Sequence, residues 1–118
     1  MQAVPSEDAG GMTPPVWLLL NRYVRPLAEI DALRADHLAH LERQREAGHF
    51  LAWGRLVPPT GGFIIGRGMD RAAVEAVLSQ DPFTVGGVAE WDVLELSFTG
   101  GAPGVLSVLL PTDPTRPT

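Results

Sequence analysis

The order of predicted elements places this 118-residue chain in the α+β class, with an antiparallel sheet and two helices on one face of it. Three observations support the prediction. Four apolar runs have the length of strands, and two segments between them have helical periodicity. A turn rich in Pro and Gly separates the second and third runs, which is typical of a hairpin. The resulting order, β-α-β-β-α-β, is that of the ferredoxin-like arrangement.

The first strand and the first helix are predicted from apolar patterning. Residues 16–23 (VWLLLNRY) form a strand that is apolar on both faces, and Pro26 ends it. A helix follows within residues 28–47, with Asp31 as the expected N-cap and Gly48 in the left-handed position after its end. Its buried stripe is expected to contain Leu27, Ile30, Leu33, Leu38 and Leu41.

The next two strands are predicted to form a hairpin. Residues 50–57 (FLAWGRLV) and 63–67 (FIIGR) are apolar runs of strand length. Residues 58–62 (PPTGG) lie between them and supply the turn. The two runs are therefore expected to pair antiparallel in the sheet.

A second helix and a last strand complete the predicted domain. Asp70 is expected to cap a helix over residues 71–80. Asp81 precedes Pro82 and is therefore biased away from the helical conformation, so the helix is expected to end there. Residues 88–98 then form the last strand.

The length of the chain fits one domain with two extensions. The domain is predicted to span residues 15–99. Residues 1–14 are polar and aperiodic, and we expect a disordered N-terminal extension. Residues 100–118 form a C-terminal extension, in which 105–110 (VLSVLL) are a candidate for an extra edge strand and 112–118 are expected to be disordered.

One face of the predicted sheet is left without a cover. Both helices lie on the other face, whereas the first strand is apolar on both sides. An exposed apolar face of this size is typical of an interface between subunits, so we expect a homodimer packed sheet to sheet. The alternative is that residues 105–110 add to the sheet or reach across to a partner.

Composition and charge exclude several classes of function. The net charge is −5 with no stripe of basic residues, so the chain lacks the electrostatic footprint of a nucleic-acid binder. There is no cysteine, hence no disulfide, thiolate metal site or cysteine nucleophile. The apolar runs are too short to span a membrane, and the N-terminus lacks the pattern of a secretory signal. We expect a cytoplasmic protein that binds neither nucleic acid nor membrane.

The strongest candidate for chemistry is His37, which falls within the apolar stripe of the first helix. A titratable ring directed at the core needs a polar partner, and Asp81 is the best candidate. A carboxylate that accepts a bond from one ring nitrogen fixes the tautomer and leaves the other nitrogen as a base. The alternative is a purely structural bond between the first helix and the turn after the second. The residues alone leave both open.

Four further residues are candidates for binding a substrate. Arg22 and Arg55 lie on predicted strands and are suited to binding an anion, the alternative being ion pairs across the sheet. Trp53 and Phe83 are candidates for lining an aromatic-binding pocket beside Asp81, the alternative being core packing.

The three histidines do not predict a metal site. His37 and His40 are three residues apart on the helix and His49 follows, but no carboxylate lies at a fitting spacing on the face of His37. We expect a solvated His40, a loop His49, and neither a metal nor another cofactor.

Five segments, taken in order, carry a resemblance to a known family. They are RADHLAHL (34–41), EAGHFLAWG (46–54), GG (61–62), DPF (81–83) and GV (87–88). Together they resemble the YCII-like family of small dimeric ferredoxin-like (α/β-barrel) proteins, over a match from about Val16 to Phe98. The resemblance implies an active site that pairs His37 with Asp81. Dehydrochlorination of a chlorinated hydroxyhydroquinone is one activity of the family.

Two features depart from the family pattern. Gly54 is followed by Arg55 where relatives often have proline, and the tail after Phe98 is longer than usual. Both bear on the shape of the pocket.

Two functions follow as hypotheses. The first is a cofactor-independent enzyme of the lyase or isomerase type acting on a small ring compound. In it His37 moves the proton and Asp81 orients the His37 ring. The second is a non-catalytic module that binds a small molecule or a partner, with a structural His–Asp pair.

Overall fold

A computed structural model describes residues 15–110 and shows the predicted α+β arrangement. The elements are β1 (Val16–Tyr23), α1 (Leu27–Glu46), β2 (Phe50–Arg55), β3 (Gly61–Arg67), α2 (Arg71–Ser79), α3 (Pro82–Val85), β4 (Ala89–Leu96) and α4 (Pro103–Leu109). The four strands form one antiparallel sheet in the order β2-β3-β1-β4, so the ferredoxin-like prediction is confirmed.

The central strand β1 separates the two faces of the sheet. Leu19 lies opposite Ile64 of β3 and Val93 of β4, and side chains alternate between faces along the strand. The main core contains residues of β1, the hairpin, α1, α2 and the connection before α2: Trp17, Leu19, Leu41, Phe50, Ile64, Met69, Val74 and Leu78. The indole of Trp17 donates to the Met69 carbonyl at 2.8 Å. One face of β1 is therefore buried beneath α1 and α2, as predicted.

The helix α1 begins earlier than expected and faces the core differently. Its N-cap is Pro26, so the prediction of Asp31 as the cap is wrong; Asp31 lies in the second turn and pairs with Arg34 at 2.8 Å. Leu27 and Leu38, expected in the buried stripe, are largely exposed. The buried residues of the helix are instead Ile30, His37, His40 and Leu41. Gly48 has φ +85°, which confirms the left-handed position after the helix.

The second half contains a helical turn that the sequence analysis did not predict. Asp70 caps α2 as predicted, accepting from the Ala73 amide at 2.8 Å. Asp81 then takes an extended conformation and caps the single turn α3, whose first residue is Pro82. This turn packs against α1 and carries Phe83 into a small second core with Ile30, Val88 and Ala89.

The strand limits differ slightly from those predicted. β2 ends at Arg55 rather than residue 57, β3 begins at Gly61 rather than residue 63, and β4 covers Ala89–Leu96 rather than 88–98. Gly61 lies so close to β1 that a Cβ there would lie 1.8 Å from the Asn21 carbonyl oxygen. The hairpin therefore continues through both glycines that were expected to belong to the turn.

The segment proposed as an extra strand is a helix, so that alternative for 105–110 is wrong. A six-residue apolar run fits a strand or a helix equally, and Pro103 at the first helical position favours the helix. On the sheet face opposite α1 and α2, α4 borders an apolar groove of about 340 Å³. Its lining residues are Leu51, Ala52, Ile65, Phe98, Val105, Val108 and Leu109. The expectations for residues 1–14 and 112–118 lie outside the described residues.

Candidate active site

The structure brings together the two residues singled out from the sequence. His37 Nδ1 on α1 lies 2.8 and 2.9 Å from the two carboxylate oxygens of Asp81, 44 residues later. Asp81 is 0% exposed and His37 6% exposed. The carboxylate also accepts a hydrogen bond from the Phe83 amide at 2.8 Å. The cap of α3 and the partner of His37 are thus the same side chain.

This pairing determines the state of the imidazole ring. An ionised carboxylate only accepts hydrogen bonds, so His37 Nδ1 donates and, in the neutral ring, Nε2 keeps its lone pair. The ring stacks on Phe83 with centroids 3.8 Å apart and planes 8° from parallel. Thr84 of α3 accepts from the Trp91 indole at 2.8 Å, which joins this turn to β4. The orientation of His37 is therefore fixed from two sides.

A cavity of about 140 Å³ adjoins His37. Its wall includes three of the four residues expected to bind a substrate, namely Trp53, Arg55 and Phe83. The structure does not bring Arg22 to this cavity. Arg22 instead pairs with Glu90 at 3.1 Å and lies 3.8 Å from Asp92, the ion-pair alternative that the sequence left open.

Sequence reasoning missed three polar residues of the cavity wall: Asn21, Tyr23 and Arg34. Asn21 is 3% exposed, and its Oδ1 accepts from the Gly62 amide at 2.8 Å. A signal for Asn21 was present, because it follows Trp17 and Leu19 at the period of the face that the helices cover. Arg34 pairs with Asp31 on α1, and Arg55 lies 3.7 Å from the same carboxylate.

The other two histidines differ from each other. His40 is 3% exposed, so its expected solvation is wrong, and its Nε2 has no hydrogen-bond partner among residues 15–110. Burial lowers the pKa of His40, and the charge of Asp81 opposes that effect only in part. His49 Nδ1 lies 3.0 Å from the Gln44 side-chain oxygen. The described part of the chain contains no group of three or more His, Cys, Asp or Glu placed to hold a metal ion.

A helix that crosses a bilayer has to be both long and apolar, and the helices of the described segment do not meet this requirement. None of those between residues 15 and 110 is both long and apolar enough to cross one.

The fold and the site together define a class: a small ferredoxin-like α+β protein with a His–carboxylate pair beside a cavity of ligand size. The model of the YCII-related domain matches residues 16–97, and the chain belongs to this family. The family and the ferredoxin-like fold expected from the resemblance are thereby confirmed. Comparison of the sequence with curated proteins finds no significant match.

The solved structures that resemble this chain include two enzymes. One is 5-chloro-2-hydroxyhydroquinone dehydrochlorinase (TftG) from Burkholderia phenoliruptrix AC1100, in complex with 2,5-dihydroxybenzoquinone. It is 25% identical, with a TM-score of 0.53, over 72% of this chain and 95% of that one. The other is SnoaB, a cofactor-independent oxygenase from Streptomyces nogalater. It is 15% identical, with a TM-score of 0.47, over 77% of this chain and 98% of that one.

Proposed function

We propose that this protein is a cofactor-independent enzyme of the lyase or isomerase type that moves a proton on a small ring compound. The observation that carries the proposal is the geometry of His37. Its Nδ1 is held by the buried Asp81 carboxylate, while the ring borders the cavity. A base that is oriented on one nitrogen and open on the other suits general acid–base catalysis.

The chemistry needs His37 to accept a proton and to return it. Nε2 takes the proton of a ring hydroxyl, the electron pair on oxygen forms a C=O bond, and the imidazolium returns the proton to a ring carbon. That sequence is an isomerisation to the keto tautomer. Where this carbon bears chlorine, loss of a second hydroxyl proton forms another C=O bond, and chloride leaves with its bonding pair. Asp81 stabilises the imidazolium throughout.

The size of the cavity supports a single-ring substrate. A protein cavity of about 150 Å³ holds one benzene molecule, and this one measures about 140 Å³. Trp53 and Phe83 supply apolar walls. The dehydrochlorinase that resembles this chain acts on a hydroxylated single ring by its name, which supports the same substrate class here.

We also propose that the chain forms a homodimer through the sheet face opposite α1 and α2. Four apolar side chains on or beside this face are exposed in the single chain: Leu94, Phe98, Val105 and Val108. The helix α4 borders part of the face and leaves an apolar groove. A second copy packed there buries surface that α4 does not cover.

A non-catalytic binding module is the second candidate, and one observation favours it. Both members of the His–Asp pair are buried, and the pair joins α1 to the turn α3 whatever else it does. A structural role therefore accounts for the bond by itself.

Two substitutions of His37 separate these functions. In His37→Asn the amide nitrogen takes the place of Nδ1 and keeps a donor for Asp81, but the base at Nε2 is lost. In His37→Gln the donor to Asp81 is lost, which leaves a buried carboxylate short of a partner and costs about 1–3 kcal/mol of unfolding free energy. Urea unfolding measures the stability of both variants.

Turnover is measured on a panel of hydroxylated rings and lactones, with chloride release from 5-chloro-2-hydroxyhydroquinone among the assays. We expect His37→Asn to lower kcat by about 10²–10⁴-fold while it unfolds close to the wild type. Asp81→Asn should show a comparable loss, because an amide donating to Nδ1 puts the remaining proton on Nε2. A wild-type protein that binds these rings and turns over none would support the binding module instead.

A further inference from the structure

We propose that the cavity takes its ligand as an oxyanion, with the Asn21 amide donating to a ligand oxygen and with Arg34 and Arg55 balancing the negative charge. This inference rests on the proposed function for the site, and it adds the charge and the polarity of the ligand. It is carried by three of the polar residues that line the cavity with His37, namely Asn21, Arg34 and Arg55.

The orientation of the Asn21 side chain is fixed by its neighbour. The Gly62 amide donates to it at 2.8 Å, and a backbone N–H can donate only to the amide oxygen. The Nδ2 group is consequently the free end, and the bond from Gly62 is the one that the described residues give this side chain. Since Asn21 lines the cavity, a ligand oxygen there can accept from Nδ2.

Apart from the titratable His37, the cavity wall contains two charged side chains, and both are cationic. Arg34 and Arg55 line the cavity, whereas the two nearby carboxylates, Asp31 and Asp81, are not part of its wall. Arg34 lies 2.8 Å and Arg55 3.7 Å from the same oxygen of Asp31. Two guanidinium groups thus share one carboxylate, and the charges on the cavity wall itself are positive.

The donors on this wall define the class of ligand. Asn21 and the two arginines supply N–H groups, and guanidinium groups accept no hydrogen bonds. A ligand that complements them carries acceptor oxygens and negative charge, as a phenolate, an enolate or a hydroxyquinone anion does. A neutral ring of the same size still accepts from Asn21 through its hydroxyl oxygens, but it carries no charge to pair with the two guanidinium groups.

The test compares the affinities of two single-ring probes by calorimetry near neutral pH. 2,5-Dihydroxybenzoquinone is anionic there, and hydroquinone is neutral. We expect the wild type to bind the anion at least about 10-fold tighter than the neutral ring. Asn21→Asp still accepts from Gly62 but replaces the donor by a carboxylate oxygen, so it should weaken anion binding by about 10-fold or more.

Thr99→Asp is the matched control, because it adds the same charge at an exposed position outside the cavity wall. It should bind the anion like the wild type. If Asn21→Asp fails to fold in a thermal melt, Arg34→Gln provides the second measurement, since Arg34 is partly exposed and its loss should also weaken anion binding.

The outcomes separate this inference from the proposed function. If neither Asn21→Asp nor Arg34→Gln changes anion binding, the inference is overturned, and the turnover assay alone then tests the proposed enzyme. If Asn21→Asp and Arg34→Gln both weaken anion binding while the wild type turns over no ring of the panel, the inference is supported and the proposed enzyme is overturned. A wild type that binds neither probe, or binds both equally, overturns the inference.

Discussion

Two histidines lie one turn apart on α1 in opposite surroundings. His37 has a carboxylate on one nitrogen and a cavity beside the ring. His40 is equally buried, but its Nε2 has no hydrogen-bond partner within residues 15–110. Burial lowers the pKa of His40, so the folded protein favours the neutral ring at this position. One histidine is thus held by a carboxylate at the edge of a cavity, and the other opposes protonation.

The lowered pKa of His40 predicts that stability falls in mild acid. The unfolded chain binds a proton at His40 below the ordinary histidine pKa of about 6.5, whereas the folded chain binds it only at lower pH. The free energy of unfolding should therefore decrease as pH falls from about 6.5 towards the folded-state pKa. In His40→Leu this contribution is absent, so a series of urea titrations should show a shallower pH dependence. An unchanged slope in the variant would contradict the prediction.

Individual residues were predictable where sequence spacing decides their position. The apolar stripe placed His37 inward, and the Asp-Pro dipeptide placed Asp81 at the end of a helix. Tertiary packing decided the others. His40 lies at the edge of the stripe and is buried, while Leu27 and Leu38 lie within it and are exposed. No pattern in the sequence shows how far α1 rotates on the sheet.

At the scale of the elements, local signals accounted for the strands and for α2. β1, the hairpin and the capped helix after Asp70 each have several residues that favour the same structure. Local signals of this kind did not predict the two short helices, α3 and α4. Four residues of α3 are too few for a periodic pattern, and the run in α4 is equally compatible with a strand. The proline that opens each of them is the signal that was available.

The cap of α2 provides a prediction for a single element. Asp70 accepts from the Ala73 amide, so Asp70→Ala leaves a helix N–H without this partner. The expected loss is about 0.5–2 kcal/mol of unfolding free energy, and Asp70→Asn, which keeps an acceptor, should lose less. Chemical denaturation of the three proteins measures the difference. Equal stability of the Ala and Asn variants would show that the cap contributes nothing.

At the scale of the whole molecule, residues 15–110 leave part of one face of the sheet uncovered. The first strand is apolar on both faces, and α1 and α2 cover one of them. On the other, α4 covers part, and Leu94 of β4 is still 44% exposed. The sequence predicted the open face correctly, but it did not show that a helix from the same chain would share it.

The proposed homodimer predicts a change of mass on one substitution. Leu94→Glu places a charge on the open face, where the single chain already exposes the side chain, so the fold should persist while the dimer dissociates. Light scattering after size-exclusion chromatography measures the mass. Val85→Glu on α3, also at an exposed apolar residue, is the control and should remain dimeric. A wild type with the mass of one chain would overturn the dimer.

The complete burial of Asp81 constrains the path that a proton takes. Asp81 has no access to solvent and holds His37 Nδ1, so exchange between the pair and its surroundings passes through Nε2 and the cavity. A ring that fills the cavity seals that nitrogen from water. In the proposed isomerisation the proton then returns to the molecule it came from, so in deuterium oxide a hydroxyl that exchanged before binding delivers deuterium to the ring carbon. In the proposed elimination one proton stays on His37 until the product departs, so the cavity has to open before the next turnover can begin.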